Sequence, residues 1–247
     1  MNRALIFSTL LHIIPAQLLL VGSAWTLARA FQLPASITGQ SLAIFTGFLL
    51  ALSPFLRLHQ PLTRFGAANA VTLVRTGITA LLAGLIGQPA RMPELAGLLA
   101  ALAGIALLLD GVDGWLARRG GMHSPFGARF DMEVDAFLIL ILATLVWQFD
   151  KAGVWVLLSG VLRYLFVAMG GWWPWLNAPL PPRRRRQTVC VMQTAVLALC
   201  LAPPLIPPIS TLLAAGALGL LTLSFAIDMV WLWRQQKSQS SDQEGSP

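Results

Sequence analysis

The chain has 247 residues, 56% of them hydrophobic and only 11% charged, with a formal net charge of +7. Mean hydropathy is +0.71, whereas a soluble domain carries roughly 25% charged residues. An ordinary soluble fold is therefore excluded, and a polytopic all-α membrane protein is expected, because backbone polar groups in lipid must be paired within each span. The basic balance alone would suit a nucleic-acid partner, but the placement of the charges along the chain excludes that too.

Apolar runs long enough to cross a bilayer lie at 4–30, 39–57, 69–88, 94–117, 125–149, 152–171, 187–203 and 207–233. The first has a basic start and an Ala28-Arg29-Ala30 ending, as a cleaved signal peptide would. Its apolar middle is too long for that and is interrupted by His12, Pro15 and Gln17, so it reads as an uncleaved span. The third run opens with Asn69, Thr72 and Arg75. The fourth ends on Asp110 and Asp113, and the fifth begins with Gly127, Asp131 and Asp135. Cys190 and Cys200 share the seventh run ten residues apart and read as small core residues, without disulfide or metal role. His12, His59 and His123 form no metal-ligand pattern. Residues 234–247 are polar, rich in Ser and Gln, and are expected to be a disordered cytoplasmic tail.

Sidedness follows from the basic residues. One set of connections holds Arg3, Arg57, Arg64, Arg118, Arg119, Arg183 to Arg186, Arg234 and Lys237, eleven in all. The opposite set holds only Arg29, Arg91 and Lys151. The richer side is cytoplasmic by the positive-inside rule, which places both termini there. The net charge is thus a topology signal, and no nucleic acid is implied.

Other charges fall inside the spans: Arg75, Arg129, Arg163, Asp131, Glu133, Asp135 and Asp228. Charges at bilayer depth face the bundle interior and mark function. At 1.5 Å per residue, Arg75 and Asp135 sit roughly 9 and 15 Å in from the cytoplasmic side. The buried charges are therefore expected to converge on a polar cavity opening to the cytoplasm.

Asp110 and Asp113 are spaced i, i+3, and Gly127, Asp131 and Asp135 are spaced i, i+4, i+8, so each set lies on one helix face. The linker between the two helices is short, which makes them antiparallel neighbours and gathers four carboxylates. Their repulsion calls for divalent cations, and hard oxygen ligands of this kind suit Mg²⁺ or Mn²⁺ alongside substrate phosphates. Gly111 and Gly114 are costly in a helix and make sense where a ligand approaches the backbone. Arg118, one turn beyond Gly114, can hold a phosphate with its fork of donors. Arg119, His123 and Glu133 read as solvated loop charges. The run Arg183 to Arg186 serves equally as a membrane anchor, with Trp172, Trp173 and Trp175 as its aromatic belt.

The spacing D-x2-D-G-x2-A-R-x8-G-x3-D-x3-D, met by Asp110, Asp113, Gly114, Ala117, Arg118, Gly127, Asp131 and Asp135, resembles the signature of the CDP-alcohol phosphotransferase (CDP-alcohol phosphatidyltransferase) family. Asn69, Thr72 and Arg75 resemble the N-x-x-T-x-x-R that opens that family's first core helix. The resemblance implies a six-helix catalytic core over 66–233, to which residues 1–65 add two N-terminal transmembrane helices. It implies two Mg²⁺ or Mn²⁺ ions held by Asp110, Asp113 and Asp131, with Asp135 sharing one and acting as the base. A CDP pocket would involve Asn69, Thr72, Gly114, Ala117, Arg118 and Gly127. The implied reaction, part of phospholipid biosynthesis, moves a phosphatidyl group from a CDP-linked donor such as CDP-diacylglycerol to an alcohol, with release of CMP. The acceptor stays open; Arg163, Arg185 and Arg186 are candidates to bind one that carries a phosphate. A homodimer in the bacterial inner membrane is the implied setting, with membrane lipid as partner.

Two other classes use intramembrane carboxylates. Prenyltransferases bind diphosphate through two separated aspartate-rich motifs, whereas all four aspartates here fall within 26 residues. A cation transporter would not need glycines and an arginine at fixed offsets, nor would it gather its charge on one side.

Overall fold

The computed structural model describes residues 3–88, 92–120, 124–178 and 184–244. Helix accounts for 86% of it, and there is no strand among the described residues. The eight expected spans correspond to eight helices. These are α1 (Arg3–Ala30), α2 (Ser36–Leu52), α3 (Ala67–Gly84), α4 (Met92–Gly120), α5 (Pro125–Gln148), α6 (Leu158–Trp172), α7 (Arg184–Leu201) and α8 (Ile209–Glu244). Short 3-10 segments at Ser53–His59 and Val154–Leu157 extend α2 and precede α6.

Among the described residues, six of the eight are long and apolar enough to cross a membrane. α5 and α7 are not among them, because α5 carries Arg129, Asp131, Glu133 and Asp135 in its first half and α7 opens on arginines. They are the polar helices of the bundle. α8 runs past the boundary expected at 233, so 234–244 is helical where disorder was expected. Arg234, Gln235, Gln236 and Lys237 are all good helix formers, so nothing local stops the helix.

α3 is the most enclosed helix. Eleven of its 18 residues are buried, against five of 28 in α1. It begins after Gly66, whose φ of 87° turns the chain out of the preceding loop. Threonines make α3 compatible with burial: Thr76 and Thr79 return the hydroxyl hydrogen to a carbonyl one turn back, at 2.9 and 2.8 Å, and the Thr72 hydroxyl lies 3.1 Å from the Ala68 carbonyl. These hydroxyls are thereby paired within the enclosed helix.

α3 packs on α4 and α5, and α1 and α2 pack on each other and on α3. One apolar cluster joins α1 and α2 to α3 and α5 through Leu5, Phe45, Leu73, Phe130 and Val134. A second fills the C-terminal halves of α3, α5 and α7 and the N-terminal half of α4, around Leu82, Leu99, Leu142 and Leu197. α6 passes close to α5 where Gly160 crosses Leu140; any side chain at 160 would run into the Leu140 backbone. Lys151, expected as a plain loop charge, is buried and donates to the carbonyl of Leu205 at 2.5 Å, tying the α5–α6 turn to the α7–α8 turn. Apolar packing thus fixes one end of the bundle and leaves the other end to charge.

Candidate active site

Three helix segments meet at that other end. α3 presents Asn69, Thr72 and Arg75 at i, i+3 and i+6. The last turns of α4 present Asp110 and Asp113, and the first turns of α5 present Asp131 and Asp135. Arg75 is 1% exposed and touches all four carboxylates. Its guanidinium lies 2.9 Å from Asp110, 2.8 Å from Asp113 and 2.6 Å from Asp131, and it also pairs with Asp135. Thr72 Oγ1 is 3.0 Å from Asp113 Oδ2 and fixes that carboxylate from the same helix.

One guanidinium cannot balance four carboxylates, so negative charge is in excess here. Two such charges about 5 Å apart repel by roughly 3 kcal/mol at an effective dielectric of 20. Asp110, Asp113 and Asp131 bring one oxygen each to within 4.8 Å of one another. Asp113 is buried, whereas Asp131 is 42% exposed and forms the open side of the cluster. An all-oxygen, over-charged and partly open cluster fits a hard divalent cation that also meets substrate oxygens.

The start of α5 is anchored by a relay that the sequence did not suggest. Ser124 caps the helix, accepting from the Gly127 amide at 3.0 Å, and its hydroxyl meets His59 Nδ1 at 2.6 Å. His59 Nε2 in turn lies 2.9 Å from the Arg64 carbonyl. His59 is therefore a buried structural histidine that locks the 53–65 connection onto α5. Gly127 gives α3 room: a Cβ there would come within 2.9 Å of Asn69 Oδ1. Asn69 is itself held by its donation to the Phe65 carbonyl at 2.6 Å.

A cavity of about 240 Å³ opens between the start of α3 and the end of α4, lined by Asn69, Ala117, Trp115 and Arg119 among others. Arg119 stacks on Trp115, its guanidinium carbon 4.5 Å from the ring centroid, so it is more than a solvated loop charge. Arg118 is exposed and curls back over Gly114, one terminal nitrogen 3.3 Å from where a Cβ would sit. Thr72, Gly114, Arg118 and Gly127 do not line this cavity; Thr72 and Gly127 belong to the packing between the helices.

A second cavity, of about 270 Å³, lies among α5, α6, α7 and α8 and reaches Asp135. Arg163 and Arg186 line it, together with Ser224, Asp228 and Cys190. Arg163 pairs with Glu133 at 2.7 Å, so Glu133 is a partner inside the bundle and not a solvated charge. Arg185 binds Asp228 at 2.6 Å and both the hydroxyl and carbonyl of Ser224 at 2.9 Å. Arg186 approaches Asp228 at 3.8 Å. Cys190 Sγ sits 3.9 Å from Asp135 Oδ2. Arg129 alone departs from the expected convergence: its guanidinium covers the ring of Phe55 at 3.7 Å, on another face of α5. His123 and Arg183 lie outside the described residues.

The structure thus brings the four motif aspartates together and separates the three candidate arginines from them by one cavity. Sequence spacing missed the position of Arg75 as common counter-ion. Its signal was present in the N-x-x-T-x-x-R face, which aims it at the same point as Thr72.

An intramembrane helical bundle with this carboxylate cluster has the outline of a transferase of phosphate esters. The model of the CDP-alcohol phosphatidyltransferase family matches residues 65–231, from the last residues before α3 into α8, and the chain belongs to that family. No curated protein and no solved structure matches it. The α1–α2 pair lies outside the matched region. Family membership makes phosphatidyl transfer from a CDP-alcohol the general chemistry, which sets the prenyltransferase and transporter readings aside.

Proposed function

We propose that this protein transfers a phosphatidyl group from CDP-diacylglycerol, or a closely related CDP-linked lipid, to an alcohol and releases CMP. The observation that carries the reading is the position of Asp135. It belongs to the carboxylate cluster through Arg75 and at the same time forms part of the wall of the α5–α8 cavity. A group placed there can meet both a donor held at the cluster and an acceptor held in the cavity.

Asp110, Asp113 and Asp131, with Asp135 beside them, would hold two Mg²⁺ or Mn²⁺ ions. Bound there, the ions would neutralise the donor diphosphate and the charge that develops on the leaving phosphate. Asn69, Ala117, Trp115 and Arg119 offer the nucleotide a cavity with an aromatic wall and a cation. Arg118 is exposed and able to reach a phosphate. Asp135 accepts the proton of the acceptor hydroxyl, the alcohol oxygen bonds to the phosphorus that carries the lipid, and the bond from that phosphorus to the CMP oxygen breaks. Arg75 positions the four carboxylates and keeps them from repelling one another apart. The basic residues gathered near α3, α4 and α7 support a site that faces the cytoplasm, and a homodimer is the assembly this reading takes.

The test is direct. Purified protein in lipid nanodiscs receives CDP-diacylglycerol labelled in its acyl chains, a panel of alcohols, and Mg²⁺, Mn²⁺ or chelator. Metal-dependent passage of the label into a new phospholipid, with stoichiometric CMP, is the expected result. Label that stays in the donor across the panel would remove CDP-diacylglycerol as the donor.

A further inference from the structure

We infer that the α1–α2 pair carries a binding site for an anionic phospholipid, with one acyl chain in a groove of the bundle and the phosphate at a rim of arginines. The site is separate from the carboxylate cluster and does not depend on the transferase reading. A cavity of about 360 Å³ runs where α1 and α2 meet α3 and α5. Along α1 it extends from Ile6 to Gln17, roughly 16 Å at 1.5 Å per residue. Its wall is mostly hydrocarbon, and Leu10, Ile14 and Leu50 are exposed, so it opens to the outside of the bundle. The few polar side chains in it are spent within the protein. Thr9 donates to the Leu5 carbonyl and Ser53 to the Leu50 carbonyl, both at 2.8 Å, and Gln17 donates to Thr46 at 3.3 Å. A polar ligand would compete with bonds already made, whereas an acyl chain needs none.

One end of the groove is basic. Leu56, Phe65 and Phe130 line it, and each adjoins an arginine in the chain: Arg57, Arg64 and Arg129. His59 gathers them, since it meets both the Arg64 carbonyl and Ser124 at the start of α5. No Asp or Glu occurs before Glu94, so nothing in α1, α2 or the 53–65 connection can neutralise these cations. Arg57 and Arg64 are exposed. Arg129 lies on the Phe55 ring, forms no ion pair among the described residues, and keeps its Nε buried without a partner. Cations near the bilayer that lack a protein counter-ion call for an anion from the membrane, and a phosphodiester matches the guanidinium fork. A zwitterionic lipid would bring a further cation to three already present, which favours a headgroup with net negative charge. None of the four motif aspartates lines this groove. Its excess of positive charge is the reverse of the cluster around Arg75, so the two sites take opposite ions.

The full chain in phosphatidylcholine nanodiscs tests this. Phosphatidylglycerol with a photoreactive diazirine in one acyl chain is compared with phosphatidylcholine bearing the same chains, and labelled peptides are mapped by mass spectrometry. Phosphatidylglycerol should label groove residues such as Leu10 and Leu49 about fivefold more or better, the worth of one arginine at an anionic membrane surface. Arg129→Gln should lower that label by about fivefold and leave labelling by phosphatidylcholine unchanged. If that variant fails to fold, the exposed pair Arg57→Gln with Arg64→Gln carries the same expectation. Equal labelling by the two lipids, or full labelling in the arginine variants, overturns the inference. Displacement of the label by CDP-diacylglycerol in preference to unlabelled phosphatidylglycerol also overturns it, because the groove would then seat the donor. A groove that neither lipid labels is covered by something else, such as a second copy of the chain, and overturns it as well.

Discussion

The two charged regions of this bundle share a carboxylate, Asp135, yet they are built on opposite plans. Around Arg75 one buried cation serves four aspartates, and the surplus is negative. Around the α5–α8 cavity Arg163 holds Glu133, and Arg185 and Arg186 share Asp228, each pair joining two helices. Surplus charge away from water persists only where a ligand completes it, whereas balanced pairs hold helices in register. The contrast separates a site whose crowded carboxylates call for cations from one whose charges pair across helices, and substitutions in the two regions should differ in kind.

The largest effects belong to the surplus region. Asp131→Asn or Asp110→Asn should weaken the apparent Mg²⁺ affinity by more than the roughly 100-fold that outer partners of a metal site are worth. CDP binding should fall with it, both read by calorimetry. Metal affinity kept within threefold of wild type would break the assignment of these carboxylates.

Next is Arg75→Ala, which leaves four carboxylates facing one another. A loss of about 3–5 kcal/mol in stability is expected for removal of a buried ionic partner. Mg²⁺ should raise the Tm of this variant more than that of the wild type, since added cations replace the missing charge. Equal shifts in the two proteins would mean that the cluster does not depend on its cations.

In the α5–α8 region, Asp228→Asn should cost about 1.5–3 kcal/mol, the range of hydrogen bonds to charged groups. It should leave CDP and Mg²⁺ binding unchanged, which is how it differs from the aspartates of the cluster. Smallest is Gly127→Ala. The new methyl presses on Asn69, and overpacking of about 1–3 kcal/mol follows. Thermal unfolding measures both effects, and a Gly127→Ala Tm at or above wild type would show that α3 and α5 are not in tight contact there.

What the sequence disclosed depended on range. The aspartates were legible because i, i+3 and i+4 spacing fixes a helix face, and a short linker makes α4 and α5 neighbours. The eight helices followed from apolar runs. Partners far apart in the chain were not legible: Glu133 and Arg163 are 30 residues apart, Arg185 and Asp228 are 43 apart, and only the folded bundle unites them. For that reason Glu133 read as a loop charge, and the carboxylate partners of the three arginines stayed unnamed. Arg75 was visible as one position of a pattern but not as the centre of the site, since that requires three helices at once. Arg129 was misplaced because depth alone does not say which face of α5 a residue occupies. α8 outran its apolar run because good helix formers carry it on after hydrophobicity ends.

The claim that one carboxylate links the two regions is tested most directly by Asp135→Asn in nanodiscs. CMP release from CDP-diacylglycerol is measured beside calorimetric binding of CDP with Mg²⁺. Turnover should fall by roughly 10²–10⁴, the span that general-base catalysis supplies, while CDP binding stays within a few-fold of wild type. Undiminished CMP release in this variant would contradict the account.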